Sequence, residues 1–249
     1  MSDYAFPAVR GFLFRVDLYP AMLSPEMEDY LKVIYDLQRS GAEPVSTSAI
    51  ADTLEVTPPT ATSMMEKLAD RELVEREKYK GVTLTTEGET VALEVVRHHR
   101  LIETYLAERL GYDWAEVHDE ADRLEHHISE EFERRVADVL DDPEVDPHGD
   151  PIPNDALEPM DDTEGATLAE FEEGERVVVR RVRDRDPDGL AYLQDEGVTP
   201  GTALTVDEVA PIGMVTVRFP DGETTSLPQD VAETIRVEAA GATEDAAAP

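Results

Sequence analysis

The sequence predicts a mainly α-helical chain with two small β portions, and three observations carry that expectation. From Ser24 to Leu140 apolar residues recur at three- and four-residue spacing, the period of a helix with one buried face. That run is interrupted between Leu73 and Gly88, where period-two alternation surrounds a Lys-Gly turn. Past Thr167 the pattern changes to short Val-rich runs separated by Gly and Pro, as in ERVVVRRVRD, TALTVDEV and GMVTVRFP.

Each element has its own start and stop signals. In SPEMEDYLKVIYDLQRSG, Ser24 is the cap and Pro25 occupies the first helical position, where a missing N–H costs nothing. Met27, Tyr30, Leu31, Ile34 and Leu37 make the apolar face, and Gly41 is the stop. VSTSAIADTLEV is a short second helix capped by Ser46 or Thr47, with Ile50 and Leu54 inward; VTPPTATSMMEKLADRELV is a third, capped by Thr57 with Pro58 behind it. LVEREKYKGVTLTTEG then reads as strand, turn and strand around Tyr79-Lys80-Gly81. Three helices followed by a hairpin make a winged helix-turn-helix over 22–85.

A long helix is expected over 86–111, with Val91, Leu93, Val95, Val96, Ile102, Leu106 and Leu110 on its face and Gly111 ending it. Another runs from Asp113 to Leu140. Residues 141–166 contain five prolines, ten acids and no Lys or Arg, and read as an acidic linker in which His148 is incidental. The β runs over 167–237 suggest a small SH3-like barrel with PDG turns at 187–189 and 220–222, and 238–249 reads as a tail.

A chain of 249 residues with 41% hydrophobic content can bury two modest cores. Its 57 Asp and Glu against 22 Lys and Arg give a net charge of −35, spread through periodic segments rather than collected in a tail. Such a surface suits a halophilic cytoplasm, where molar salt screens charges to about 3 Å. The absence of cysteine excludes disulfides, thiolate metal sites and thiol catalysis. Residues 1–21, interrupted by Arg10, Arg15 and Asp17, have neither the apolar core of a signal peptide nor the length of a membrane span. They read as an N-terminal extension of a cytoplasmic protein with no membrane partner.

Five of the six histidines, His98, His99, His118, His126 and His127, lie within thirty positions of one another. In VHDEADRLEHHISEE a helical projection at about 100° per residue puts His118, Glu125 and His126 within about 60° of Asp122, on one face. On the preceding helix His99 and Glu103 are i, i+4 neighbours. Imidazole and carboxylate ligands without sulfur suit the harder divalent ions Mn²⁺ and Fe²⁺. The bland alternative is an acidic surface helix whose histidines have carboxylate neighbours by chance.

The start of the third helix has a different chemistry. Thr57, Pro58, Pro59, Thr60, Thr62 and Ser63 offer hydroxyls and compact apolar carbons in a stretch free of acids, which a helix facing phosphates requires. Lys67, and Arg76, Lys78 and Lys80 of the hairpin, supply cations for the DNA backbone. The alternative is a winged-helix module that binds protein.

From Leu23 to Met160 the chain resembles the diphtheria toxin repressor family of metal-dependent transcriptional regulators, especially its manganese transport regulator branch. The stretches that carry this are MEDYLKVIYDL, the helix-turn-helix, EREKYKGVTLTTEG, HHRLIETYL and VHDEADRLEHHISEE, in the family's order. The segment containing DGLAYLQDEGVTPGTALTV resembles the SH3-like domain of many members, found also in a small ferrous-transport protein. The resemblance implies a metal-binding and dimerisation domain over 86–140, with Asp29, Asp122, Glu125 and His126 as a primary metal site. It implies an ancillary site of His99, Glu103 and His118, with Asp186 as a further candidate. It also implies a homodimer that binds palindromic double-stranded operator DNA and represses metal-uptake genes in response to Mn(II) or Fe(II). There are departures: iron-type members have Met and Cys where this chain has Asp29 and Asp122, and the manganese branch has Glu where this chain has Lys32. A protonated lysine is no ligand, so the implied metal count stops short of a two-manganese cluster. His98 and His127 have no family role and read as surface histidines.

Two other functions compete. A winged-helix regulator sensing a non-metal ligand would leave the histidine cluster structural and show no Mn²⁺ or Fe²⁺ affinity. A di-metal carboxylate enzyme needs paired Glu-x-x-His or HExxH motifs, and the cluster has neither, so no enzyme is expected.

Overall fold

The computed structural model describes residues 23–77, 80–159, 165–183 and 187–240. They divide into two compact units, one running to Val96 and taking in Asp155–Glu158, the other comprising Arg97–Asn154 and the residues from Pro159 on. The extension expected at 1–21, Lys78, Asp186 and the tail beyond 240 lie outside the described residues.

In the first unit, helices α1 (Pro25–Arg39), α2 (Thr47–Thr53) and α3 (Pro58–Asp70) precede strands β1 (Val74–Glu77) and β2 (Gly81–Leu84). Ser46 Oγ accepts from the Ala49 N–H and Thr57 Oγ1 from the Thr60 N–H, each satisfying a donor that a helix start leaves orphaned. β1 and β2 pair antiparallel, Val74 opposite Leu84. α1 packs against α2, α3 and β2, and α3 against β1. Leu31, Ile34, Ile50, Met65, Leu68 and Leu73 are fully buried, each contributing about 1.5–3 kcal/mol of apolar burial. Gly88 lies so near the entry to β1 that a Cβ there would be 1.9 Å from the Leu73 carbonyl oxygen.

Helix α4 (Thr86–Tyr105) continues as a π-helical turn, Leu106–Leu110, which Gly111 ends in a left-handed conformation with φ of 72°. The single helix expected from Asp113 to Leu140 is instead three pieces: α5 (Val117–Leu124), a 3₁₀ turn (Glu125–His127) and α6 (Glu130–Val139). The break has a local cause. Ser129 is extended, its Oγ accepts from the Phe132 N–H, and Glu130, Glu131 and Glu133 favour the positive end of a new helix. Glu125 and His126 therefore sit on a tighter turn than an α-helical projection assumes.

Residues 141–154, expected to be part of a linker, are built into the second unit. Ile152 packs with Leu101, Val136, Ala137 and Leu140. Arg97 donates to the Pro153 carbonyl and Arg100 to that of Pro151. Prolines have no N–H to satisfy but keep a strong acceptor, so a proline-rich segment can be buried against arginines supplied from α4.

The rest of this unit is a five-stranded antiparallel sheet of β3 (Arg176–Val182), β4 (Ala203–Ala210), β5 (Met214–Arg218), β6 (Thr224–Pro228) and β7 (Ile235–Ala239), with α7 (Pro187–Asp195) and α8 (Gln229–Thr234). Its order is β6-β5-β4-β3-β7, and β7 also bridges Thr167 through Arg236; among the described residues β6 and β7 do not pair with each other, so the sheet is not closed into the barrel expected. The PDG at 187–189 begins α7 instead of forming a turn. Trp114 and Ala115, from the connection between α4 and α5, complete a core formed by the sheet residues Val177, Val206, Val217 and Ile235.

One glycine fixes how the 141–154 segment meets the sheet. Gly149 has φ of +88°, and a Cβ there would fall 2.0 Å from the Arg180 carbonyl oxygen. Gly149→Ala should destabilise the protein by on the order of 2 kcal/mol or more in urea unfolding. Gly41→Ala, at φ of +90° with nothing within 4 Å of its Cβ, should cost only about 1 kcal/mol. Equal costs would mean that the turn does not press on β3.

Candidate metal centre

Helix α4 places His99 and Glu103 one turn apart on a buried face, and α5 brings His118 against them. The Glu103 Oε1 lies 2.9 Å from His99 Nε2 and 3.0 Å from His118 Nδ1, and the two ring nitrogens are 3.0 Å apart. Three atoms so close cannot all be joined by near-linear hydrogen bonds: if both rings donate to Oε1, their N–H groups crowd each other. The triangle does match a set of ligands. Bonds of about 2.1 Å put cis ligands of an octahedron about 3.0 Å apart and those of a tetrahedron about 3.4 Å apart. Two imidazole nitrogens and a carboxylate oxygen therefore have the spacing of one face of an octahedral ligand set.

The ring of His99 is held for that role. Its Nδ1 lies 2.5 Å from Glu125 Oε2 and 3.2 Å from Asp122 Oδ1, so the Nδ1–H is directed at carboxylates and Nε2 is left to the triangle. Asp122 Oδ2 is 3.7 Å from His118 Nε2, and Glu125 Oε1 is 3.4 Å from His126 Nε2. His99, His118 and Asp122 are thus brought together, although the resemblance distributes them between two sites. Asp29 lies half-buried on α1, in the other unit.

Glu103 is only 2% exposed. Burial alone would push its carboxyl up; the charge on His99, hydrogen bonds with His118 and His99 and the nearby His148 ring outweigh that and hold it well below the usual carboxylate range. It stays ionised, as a metal ligand must. His148, expected to be incidental, is buried, with Nδ1 3.8 Å from Glu103 Oε2. Burial pushes its pKa down, yet its interaction with the nearby Glu103 carboxylate and the charge on Asp146 leave it above the ordinary value. Asp146 beside it is driven up to about 7 by burial and then by the charges on Glu103 and Asp150. Nothing in the local spacing of PEVDPHGDP pointed to this partnership, because its other half lies on α4.

The wing and the start of α3 make a second candidate surface. Thr57, Pro58, Pro59, Thr60, Ser63 and Lys67 are exposed and Thr62 is half-buried. Arg76 pairs with Glu66 at 3.2 Å and Lys80 with Glu77 at 2.7 Å. Exposed pairs of this kind are screened by solvent, so they yield readily to phosphates. Ser46, Thr47 and Ser48 line one concavity with Arg76 and Lys80, adding hydroxyls of which the sequence suggests only Ser46 or Thr47, as a helix cap.

Residues 22–82 match the model of the iron dependent repressor N-terminal DNA binding domain, and 85–154 that of the iron dependent repressor metal binding and dimerisation domain. Residues 166–239 match the FeoA domain. The chain is 36% identical over 222 residues to the iron-dependent repressor IdeR of Mycobacterium tuberculosis, covering 85% of this chain and 96% of that protein. It is 32% identical over 220 residues to the diphtheria toxin repressor of Corynebacterium diphtheriae, covering 85% and 96%. Among solved structures it is similar to a manganese-dependent transcriptional repressor in complex with manganese, with a TM-score of 0.78 at 37% identity over 86% of this chain and all of that one. It is also similar to ScaR with bound Zn²⁺, with a TM-score of 0.71 at 34% identity over 86% of this chain and 99% of that one.

His98, expected at the surface, is buried one residue before His99 and faces the other way. Its Nε2 lies 3.2 Å from Glu133 Oε2, while Arg97 Nε donates to Oε1 at 2.5 Å, tying α6 to α4. Burial raises the Glu133 carboxyl, but His98 and Arg97 more than reverse that and leave it lowered. A depressed folded-state pKa stabilises above the unfolded value of about 4.3 and is lost as pH falls through the folded one. At pH 7, Glu133→Ala should therefore cost about 3 kcal/mol by stranding the buried Arg97 guanidinium. Glu131→Ala, which removes exposed, solvent-screened pairs with Arg134 and Arg135, should change stability far less. The gap, read from urea titrations, should narrow as the pH drops below about 4; a gap that widens there would reverse the sign argued for Glu133.

Proposed function

The chain belongs to the iron-dependent repressor family, and from that premise we propose that it is a metal-responsive transcriptional repressor, binding operator DNA as a homodimer and controlling metal uptake. The observation that carries the metal-sensing part is the triangle of His99 Nε2, Glu103 Oε1 and His118 Nδ1. An unpaired carboxylate at that depth is costly, whereas a divalent ion would supply the compensating charge. His99, Glu103 and His118 are the ancillary ligands in this reading, with Asp186 as a further one. Asp29, Asp122, Glu125 and His126 are the primary set. The donor set is all nitrogen and oxygen, which suits Mn(II) first and Fe(II) second.

Coupling between metal and DNA is a matter of linked equilibria. Ligands drawn from different helices can be satisfied together in one arrangement of those helices, and that arrangement sets where α3 presents Thr57 to Ser63. A two-fold dimer then offers two such helices to a palindrome. The five-stranded sheet is proposed to be an SH3-like module, supported by the FeoA match and the antiparallel order of its strands.

The deciding experiment is operator affinity measured across Mn²⁺, Fe²⁺ and Zn²⁺ concentrations. Mn²⁺ should tighten binding at least about tenfold, corresponding to a coupling of about 1.4 kcal/mol. His126→Ala should abolish that gain while His127→Ala, at an exposed position, should leave it intact. Affinity indifferent to all three metals would leave the non-metal regulator standing in place of this reading.

Base and backbone contacts separate by a second comparison. Lys80→Ala should weaken binding to operator and random DNA by the same factor and lower the salt slope by about one unit. Thr60→Ala and Ser63→Ala should instead change which base pairs are preferred. Altered base preference in the lysine variant alone would mean that the roles of wing and helix are reversed.

A further inference from the structure

The acid-free start of α3 ends at Glu66. That residue follows Thr62 and Ser63 by one helical turn, so it shares their face of the helix, and it is exposed. A carboxylate on that face raises the cost of bringing phosphates near it. It is paired within the chain: Glu66 Oε1 lies 3.2 Å from Arg76 Nη1 on β1. A second carboxylate stands on the wing itself. The Lys80 N–H donates to the Glu77 carbonyl at 3.0 Å, and the Lys80 Nζ reaches to 2.7 Å from Glu77 Oε2. Glu77 lines the same concavity as Arg76, Lys80, Ser46, Thr47 and Ser48. Among the described residues of the wing, both cations offered to DNA are therefore held by carboxylates.

We propose that Glu66 and Glu77 are intramolecular competitors of DNA phosphate, holding Arg76 and Lys80 until a duplex displaces them and so lowering the affinity for DNA of any sequence. The inference rests on the reading of α3 and the wing as a DNA-binding surface. A carboxylate and a phosphate offer a cation the same kind of charge-assisted hydrogen bond. All four side chains are exposed, so the exchange needs only new rotamers. Each contact made to the duplex then replaces an ion pair already present in the chain. Phosphate contacts supply nearly all of the affinity for random sequence, so the competition falls hardest there. The hydroxyl and apolar contacts offered by Thr57 to Ser63 are left untouched, and the balance shifts toward DNA that those residues can read. A structural role for the same pairs, anchoring the wing to α3 and closing the hairpin, predicts the opposite sign, because neutralising the carboxylates would then loosen the wing and weaken binding.

The test measures binding of the full chain, loaded with Mn²⁺, to a fluorescent mixed-sequence duplex by anisotropy. KCl is set to the lowest concentration at which circular dichroism shows every variant folded. Glu66→Gln and Glu77→Gln keep the shape of the side chain and remove its charge. Each should tighten binding about two- to fivefold, the scale of one exposed ion pair, and the two together about tenfold. Glu131→Gln removes the same charge from an exposed position on α6, in the other unit, and should leave the affinity where it was. A double-mutant cycle then decides whether the carboxylate competes for its cation. In a Lys80→Ala background Glu77→Gln should gain much less than in the wild-type chain, and Glu66→Gln likewise in an Arg76→Ala background. Unchanged or weaker binding in the Gln variants overturns the proposal, as does a gain in Glu131→Gln as large as theirs. Equal gains with and without the partner cation overturn it too, since the carboxylates would then merely repel the duplex. If the wild-type chain fails to bind the duplex at any Mn²⁺ concentration, the DNA-binding reading itself has failed; if it binds and the Gln variants gain nothing, only the competition has.

Discussion

A carboxylate in the middle of a buried helix face needs hydrogen-bond donors or a cation beside it, and Glu103 is such a group. Leaving it unpaired would cost several kcal/mol. Its two oxygens are treated differently: one faces His99 and His118, and the other faces His148. Three histidines from three segments of chain are thus fixed by one side chain. Without Glu103 the convergence of α4, α5 and the 146–150 turn has no electrostatic reason to exist.

The surrounding structure supports that arrangement in layers. Arg97 and His98 clamp α4 to Glu133 of α6, while Arg97 and Arg100 take the carbonyls of Pro153 and Pro151. The acidic, proline-rich segment is held down by arginines on α4 and β3, which is why it belongs to the compact unit and not to solvent. Trp114 belongs to two structures at once, filling the sheet core and bonding the turn beside His148. The helix break at Ile128 and Ser129 leaves Glu125 on a 3₁₀ turn, where its carboxylate meets the Nδ1 side of His99.

Local signals in the sequence were sufficient for the first four helices, the hairpin and the histidine cluster. Caps at Ser46 and Thr57, prolines at first helical positions and alternation around Gly81 act within a few residues, so they can be read directly. What the sequence hid depends on partners far along the chain. His98 looked exposed because its Glu133 partner lies 35 residues on, and His148 looked incidental because Glu103 lies 45 residues back. The 141–154 segment has the composition of a linker, and only the arginines of α4 and β3 make its burial favourable. The edges of the sheet were hidden for the same reason: strand pairing is set by register across the chain, not by the Val-rich runs themselves.

Crystals of the full chain grown with Mn²⁺, measured for anomalous scattering at the manganese edge, test the central assignment without reference to activity. The expected result is an anomalous peak about 2.1–2.3 Å from His99 Nε2, His118 Nδ1 and Glu103 Oε1 together, with His148 unmoved beside the second Glu103 oxygen. Manganese found elsewhere in the chain, with no density at that triangle, would contradict it: the three groups would then be a buried hydrogen-bonded cluster and not a site for a metal ion.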